Sequence, residues 1–532
     1  MSKFNRSATR PAVSSPVASE PTPSARTFEG GAGYARDTKS ELFLLAVSNM
    51  VGADTFYERA KQRDDRYAAL VRDVAQADIG WLTRFVRWLR NDANMRSASV
   101  VAAAEAVRGR LEAGLSGGNR EIVDAALARA DEPGEFLAYW TGTYGRAIPK
   151  PVKRGVADAV RRLYNERAVL KYDTDSKGFR FGDVIDLVHP TPADGKAWQG
   201  DLFAHALDRR HGRDGEVPPA LDMIGANRAL RAFAAGDPTV LLAPDRLREA
   251  GMTWEDVLSL AGSKLDKRKL WEAVIPSMGY MALLRNLRNF DQASVSDEVA
   301  DTVAAKLRDP EQVAKSRQFP FRFLSTYRAA PSLRWSYPLE QALSHSLANV
   351  PALPGRSLVL VDRSPSMWMQ KFSERSDMPW ADAAAVFGAA VALRAEHADL
   401  VEFGIDNAPV RYQRGESVLK VVERFRRVDG TDIPSAVKRH FDGHDRVIVV
   451  TDEQTRPGWL PSNGYGYGGM PETKVDDLIP GKVPLYMWNF GGYRHGAAPS
   501  GAGNRHTFGG LTDAAFRMVP LIEAGRNATW PF

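Results

Sequence analysis

The sequence predicts a multidomain protein: an all-α domain of stacked helices, followed by an α/β doubly wound, Rossmann-like domain with a parallel sheet. Three observations predict it. At 532 residues the chain exceeds what one hydrophobic core ordinarily serves. From Thr38 to Leu347 apolar residues recur every three or four positions with charges between them, and no strand periodicity intervenes. After Pro351-Ala-Leu-Pro-Gly355 the pattern changes to short, continuously apolar runs separated by amphipathic segments, the signature of strands buried on both faces.

Residues 1–36 are rich in Ser, Pro, Ala and Thr and hold few groups that could be buried, so they are expected to form a disordered tail. Helices are expected over 40–50, 65–76, 79–91, 98–111, 120–130 and 152–164. Trp81, Phe85, Trp88 and Leu89 illustrate the spacing. Many short amphipathic helices in series suggest antiparallel pairs stacked as a solenoid. No strict repeat period is visible, which leaves a compact irregular bundle open. The helical domain is bounded at 37–350 and the α/β domain at 355–532. In the latter, strands are expected over 357–361, 400–405, 446–451 and 484–490, with helices over 381–396, 417–425 and 434–440. Gly464-Tyr-Gly-Tyr-Gly-Gly469 reads as a flexible loop.

The chain has 71 Lys and Arg against 65 Asp and Glu, a net charge of +6 that permits a polyanionic partner without requiring one. It has no cysteine, which excludes a disulfide framework, a zinc ribbon, a thiol nucleophile and a cysteine-held iron–sulfur cluster. No stretch approaches the roughly 20 apolar residues that span a bilayer. No apolar segment follows the basic residues of the N-terminus. A cytoplasmic protein with no membrane partner is expected.

Asp362-Arg-Ser364-Pro-Ser366 begins where the first α/β strand ends and presents one carboxylate and two hydroxyls at the edge where ligands of such sheets sit. Thr431 lies on a loop before a helix, and Asp452 follows the strand 447–451, on the same edge. Hard oxygen ligands of this kind suit a divalent metal, Mg²⁺ above all. The plainer reading is that Ser, Thr and Asp cap helices after strands. The ordered set resembles the metal-ion-dependent adhesion site of von Willebrand factor A-type domains, over about residues 355–532. The resemblance implies that Ser364, Ser366 and Thr431 ligate the ion directly or nearly so. Asp362 and Asp452 would act partly through water, and an acidic group of a partner would complete the shell.

Charge is also unevenly placed along the helical region. Between Thr143 and Tyr172 stand Arg146, Lys150, Lys153, Arg154, Arg161, Arg162, Arg167 and Lys171 against only Asp158 and Glu166. Between Gln312 and Tyr337 stand Lys315, Arg317, Arg322, Arg328 and Arg334 with no acid, interleaved with Phe319, Phe321, Phe323, Tyr327 and Trp335. Cations neutralise phosphates and aromatic faces stack unpaired bases, so single-stranded RNA fits this pattern. Equally, the cations could solvate helix surfaces while Phe319, Phe321 and Phe323 fill the core.

Four passages resemble the TROVE-domain proteins typified by the Ro autoantigen and its bacterial orthologs. They are Gly145-Arg-Ala-Ile-Pro-Lys150 continuing to Arg161-Arg-Leu-Tyr-Asn165, Asp183-Val-Ile-Asp-Leu-Val-His-Pro190, Ile275-Pro-Ser-Met-Gly-Tyr-Met-Ala-Leu-Leu-Arg-Asn-Leu287 and Phe319-Pro-Phe-Arg-Phe-Leu-Ser-Thr-Tyr327. The order of a TROVE domain before an A-type domain matches as well. The resemblance implies HEAT-like helical repeats closed into a ring whose ends the A-type domain joins. Y-type small noncoding RNA would bind the outer basic surface, and single-stranded 3′ ends of misfolded RNA would enter the central hole. By position, Lys171, His189 and Lys177 are similar to family residues that contact Y RNA, although at the third Ser176 aligns equally well. Arg285, Arg322 and Arg328 are candidates for phosphate contacts around the hole, and Lys150, Lys153 and Arg154 for the outer surface. Bacterial members work with exoribonucleases such as polynucleotide phosphorylase, which makes such an enzyme an expected partner.

An enzyme is the first competing reading. Two-metal hydrolysis needs a carboxylate cluster, and hydroxyl-rich ligation supplies too little charge for it. Asp362, Asp452, Asp432 and Glu453 form no recognisable nuclease motif. No Walker loop, His-Glu-x-x-His or Gly-x-Ser-x-Gly is present. The second is a metal-dependent protein-binding adaptor without specific RNA binding. The sequence favours a non-catalytic RNA-binding protein that scaffolds small noncoding RNA and captures defective RNA ends.

Overall fold

The computed structural model describes residues 13–48, 51–213, 215–348, 350–372, 377–458, 472–512 and 516–532. They fold into two compact units. One gathers the described residues up to Leu70, the short stretch Gln318–Ser325, and Glu340–Phe532; the other comprises Val71–Arg317 and Thr326–Leu339. Among the described residues no helix is long and apolar enough to cross a membrane.

The second unit is built of helices, and their order of packing explains the sequence pattern. The helix Ile79–Asn91 starts at Asp78, whose carboxylate accepts the Trp81 amide at 2.9 Å. Trp81, Leu82, Phe85, Val86 and Leu89 then bury one face. The helix Arg96–Glu112 is buried around most of its circumference, and its run of alanines lets neighbours approach on several sides. It packs on Asn119–Ala126 and Glu132–Tyr144. Asn119–Ala126 in turn meets Lys150–Leu163, where only glycine fits at 155: a Cβ there would lie 2.6 Å from the Arg120 carbonyl oxygen and 2.7 Å from Val123 Cβ. Such neighbour-to-neighbour packing continues from Phe181–Val188 to Trp198–Arg210, and later from Tyr280–Gln292 to Asp297–Arg308. It is the pattern of stacked helix pairs. A buried pair pins the early repeats: Arg90 Nε lies 3.0 Å from each oxygen of Glu132, which also accepts the amides of Ala128 and Arg129. With its lone pairs filled, this buried carboxylate is tolerated.

The strands of the other unit run in chain order β1 (Ala25–Arg26), β2 (Ala32–Ala35), β3 (Arg356–Asp362), β4 (His397–Phe403), β5 (Asn407–Pro409), β6 (Arg446–Thr451), β7 (Leu485–Asn489), β8 (His495–Gly496) and β9 (Arg505–Gly509). Its main sheet has the order β5-β4-β3-β6-β7-β9, parallel except for the edge strand β5. Side chains alternate across it. Leu360, Val401, Val449 and Met487 share one face with Ile433, Ala436 and Val437 of the helix Ile433–His440. On the other, Val361 meets the helix Trp380–Arg394 so closely that a Cβ at Gly388 would come 2.3 Å from Val361 Cγ2. Phe387 of that helix stacks on Trp488, with ring centroids 5.1 Å apart. The expected helix over 417–425 is shorter, Val418–Val422, and the glycine-rich loop 464–469 lies outside the described residues.

Residues 13–36 depart from the expected disordered tail. They form an ordered arm on the α/β unit. Val13, Val17 and Tyr34 are buried, β1 and β2 form a hairpin, and β2 pairs antiparallel with β8. Main-chain bonds secure the rest, including Ser15 N to Gly501 O at 3.1 Å and Ala528 N to Ser14 O at 2.9 Å. The composition misleads because this segment is held by its backbone and needs few apolar side chains. Residues 1–12 lie outside the described residues.

Candidate functional site

The predicted metal-binding residues converge. β3 is flanked by β4 and β6, so the chain leaves β3 to one side and returns on the other, the switch point where α/β sheets bind ligands. Asp362 ends β3, Asp452 follows β6, and Thr431 comes in on the loop whose Asp432 amide bonds to the Gly404 carbonyl just past β4, at 2.9 Å. Asp362, Ser364, Ser366, Thr431 and Asp452 are each no more than 2% exposed. The Ser364 amide donates to Asp362 Oδ1 at 2.9 Å, Thr451 Oγ1 donates to Asp362 Oδ2 at 2.5 Å, and the Ser364 and Ser366 hydroxyls stand 3.2 Å apart.

Helix capping accounts for some neighbours but not for these residues. Asp432 is the true cap of Ile433–His440, accepting the Ser435 amide at 2.9 Å. Ser364, by contrast, occupies the cap position of the helix Pro365–Met369 without a capping hydrogen bond from its side chain, which turns to Ser366 instead. Asp452 Oδ1 accepts the Gln454 amide at 3.1 Å, while its Oδ2 is buried and has no hydrogen-bond partner among the described residues. An orphaned buried carboxylate oxygen is costly unless something positive meets it.

The electrostatics have the same sense. Burial raises the Asp362 carboxyl above its usual range, although the Thr451 and Ser364 hydrogen bonds oppose it. Burial raises Asp452 too, and the neighbouring charge of Asp362 adds to it. Two carboxylates and three hydroxyls with one unfilled oxygen fit a divalent cation of the hard, oxygen-seeking kind, and a cation there would reverse both shifts. Among the described residues no three His, Cys, Asp or Glu side chains cluster as metal ligands, so ligation here would rest on this mixed set.

Several residues that the sequence did not single out build the floor and rim. Arg363, the variable position of the motif, is 1% exposed. Its Nε donates to the Arg426 carbonyl at 3.0 Å, and its guanidinium lies 4.2 Å from the Trp368 ring centroid. Burial lowers its pKa to about 10. Glu453 has a left-handed backbone, φ 65°, and is fixed by Arg36 Nη2 and Asn489 Nδ2, each at 2.7 Å. Tyr57 lies near Ser366 and donates its hydroxyl to Glu29 Oε1 at 2.8 Å. A single arginine in a variable position and a tyrosine far upstream leave no signal in a local motif.

The candidate RNA residues fall on both units. On the helical unit, Lys150, Lys153 and Arg154 occupy the first turns of Lys150–Leu163, with Arg154 opposite the buried Val152, Val156 and Val160 and Lys153 on the flank of that face. Lys150 and Arg154 are exposed, and none of the three pairs with a carboxylate among the described residues. Lys171 is exposed with its ammonium 5.1 Å from the Tyr172 ring centroid. His189 is exposed in a left-handed conformation that ends the helix Phe181–Val188. Arg285 and Arg328 are exposed as well. Lys177 is engaged: its ammonium lies 3.1 Å from Asp131 and 3.3 Å from Glu135. Arg322 belongs to the α/β unit, half-buried and lying over the Phe321 ring. The interleaved aromatics are mostly core. Phe321 and Phe323 are buried, Phe321 stacks on Phe372 with centroids 4.0 Å apart, and buried Trp335 donates to Asp291.

Comparison with known proteins sharpens this. The TROVE domain profile matches residues 243–355. Telomerase protein component 1 of Mus musculus is 39% identical over 83 residues, 15% of this chain and 3% of that protein; its counterpart in Rattus norvegicus is 39% identical over 77 residues, 14% and 3%. The chain thus spans only about 3% of the length of these relatives. In three dimensions it is similar to the Ro (RSR) protein of Deinococcus radiodurans, with a TM-score of 0.58 and 17% identity, over 91% of this chain and 100% of that one. A helical-repeat region preceding an α/β domain is thus the fold shared with that Ro protein, and within it residues 243–355 match the TROVE domain.

Proposed function

We propose that this is a non-catalytic RNA-binding protein that scaffolds Y-type small noncoding RNA and captures single-stranded 3′ ends of misfolded RNA. TROVE-domain proteins as a class bind RNA, and the RNA surface of this chain is the exposed basic face of its helical unit. One observation carries the reading. Lys150, Lys153 and Arg154 crowd the first turns of a helix, where the macrodipole disfavours cations by about 0.3–1 kcal/mol each. No carboxylate among the described residues relieves them. Unrelieved cations beside the free amide groups of a helix start suit phosphate oxygens. Lys171 and His189 are exposed basic candidates in the same unit.

In this reading the α/β unit holds a divalent ion, Mg²⁺ by ligand type, through Asp362, Ser364, Ser366, Thr431 and Asp452. An exoribonuclease such as polynucleotide phosphorylase is the partner class that would consume captured ends, in the cytoplasm. The test is binding to a hairpin RNA with and without a single-stranded 3′ tail, over a salt series, for the wild type and a Lys171→Ala/His189→Ala variant. Tail- or fold-dependent binding that the variant weakens supports the proposal. Weak binding indifferent to RNA structure and to the variant defeats it.

A further inference from the structure

The candidate metal site is closed by the chain's own N-terminal arm. Four successive residues after Asp452 each grip the arm. Glu453 takes Arg36 at 2.7 Å; Gln454 Oε1 accepts the Phe28 amide at 2.9 Å; the Thr455 carbonyl accepts Thr27 Oγ1 at 2.6 Å and the Gly31 amide at 3.1 Å; and Arg456 Nε lies 3.3 Å from Glu29 Oε2. The approach is close enough to require glycine at 31, where a Cβ would come 2.5 Å from the Thr455 carbonyl oxygen and 2.9 Å from that of Arg456.

This grip sets an aromatic cover over the site. Phe28 stacks on Tyr57 with centroids 5.0 Å apart, and both rings meet Tyr493 edge-on. Beneath the cover the Tyr57 hydroxyl donates to Glu29 Oε1 at 2.8 Å and lies near Ser366 and in the field of Asp452. A partner's carboxylate could reach ligands no more than 2% exposed only by displacing these groups. Glu29 is the acid tied to this cover, through the Tyr57 hydroxyl on one oxygen and Arg456 on the other.

Resting on the metal-site reading above, we propose that Glu29, held by Tyr57, is the acidic group that completes this site in cis. A bound divalent ion then clamps the N-terminal arm to the α/β unit and recruits no acidic partner. The arrangement needs no new atom in the site beyond the ion and its waters, since Mg²⁺ retains several waters and is held well through such an outer carboxylate.

The experiment is calorimetric titration of Mn²⁺ into the full chain, with hydrogen exchange of residues 25–35 read with and without the ion. The variants are Glu29→Gln, Gly31→Ala and Asp452→Ala. Expected are Mn²⁺ binding by the wild type with slowed exchange over the arm, an affinity loss of about tenfold or more in Glu29→Gln, and loss of the ion-dependent protection in both Glu29→Gln and Gly31→Ala. Unchanged affinity and exchange in Glu29→Gln, with binding abolished by Asp452→Ala, would overturn the closure in cis while leaving the metal site standing. Absence of Mn²⁺ binding by the wild type would remove both.

Discussion

Arg36 and Glu453 form an ion pair at 2.7 Å with side chains 1% and 0% exposed, joining the N-terminal arm to the residue that follows Asp452. Arg36 also donates to the Tyr493 carbonyl at 2.8 Å, and Glu453 accepts the Ala497 amide at 2.9 Å. The pair is thus fully hydrogen-bonded, the condition under which two buried charges are tolerated. The ligand loop and the arm share one buried anchor.

Removing one partner should therefore be expensive. Arg36→Met leaves Glu453 buried and charged, which costs about 3–5 kcal/mol. Urea unfolding followed by tryptophan fluorescence should show that loss in the α/β unit. The double variant Arg36→Met/Glu453→Gln should recover part of it, because the uncompensated charge is gone. A loss below about 0.5 kcal/mol in Arg36→Met would mean that the arm contributes nothing to this unit.

The site itself is under electrostatic tension that an ion should relieve. Asp452→Asn removes one of two mutually repelling buried carboxylates. In chelator the variant should unfold at a higher temperature than the wild type. With Mg²⁺ the order should reverse, since only the wild type gains binding free energy, about 2.7 kcal/mol at a concentration 100 times the dissociation constant. Identical Mg²⁺ responses in the two proteins would exclude Asp452 as a ligand.

What the sequence made legible follows from range. The strands β3, β4, β6 and β7 announce themselves as apolar runs, and the ligands of the candidate site lie at or just past strand ends or at helix starts. β9 did not, because Arg-His-Thr-Phe-Gly reads as polar. It is buried only because Arg505 finds Asp476 and the carbonyls of Val483 and Ile479, while His506 finds Ser15. The arm escaped for the same reason. Its partners lie more than 400 positions away, and its Ser- and Pro-rich composition carries no trace of the backbone bonds that order it. Glu29 and Tyr57 were invisible as site residues, since nothing local ties them to Ser366 or Arg456.

On the helical unit, cations of similar appearance should separate by function. Replacing Lys150, Lys153 and Arg154 together by Ala should reduce the slope of log binding constant against log salt by about 2–3. It should leave stability unchanged or slightly higher, since the helix dipole no longer opposes them. Lys177→Ala should behave in the opposite way. Burial works against the Asp131 carboxylate, yet Arg129, Arg96 and Lys177 together hold its pKa well below the usual range. Losing Lys177 should lower stability and leave the salt slope within error. A triple variant with an unaltered slope would remove this helix from the RNA surface.

His506 is fully buried between the sheet and the arm, with Nδ1 2.9 Å from Ser15 Oγ and Nε2 without a hydrogen-bond partner among the described residues. Burial, reinforced by the charge of Arg505, lowers its pKa from 6.5 to about 4. The unfolded chain therefore binds a proton that the folded chain refuses as pH drops below about 6.5. The stability conferred by the neutral ring is complete above that pH and is lost progressively down to about 4, roughly 3 kcal/mol in all. His506→Phe keeps the stacking on Tyr486, whose ring centroid lies 5.5 Å away, and cannot titrate. Its stability should start lower at pH 7, for want of the Ser15 bond, and fall less than that of the wild type by pH 4.5. Because Asp362 and Asp452 titrate in both proteins, the difference between the two unfolding curves isolates the histidine, and parallel curves would show that His506 is not the group that couples the arm to pH.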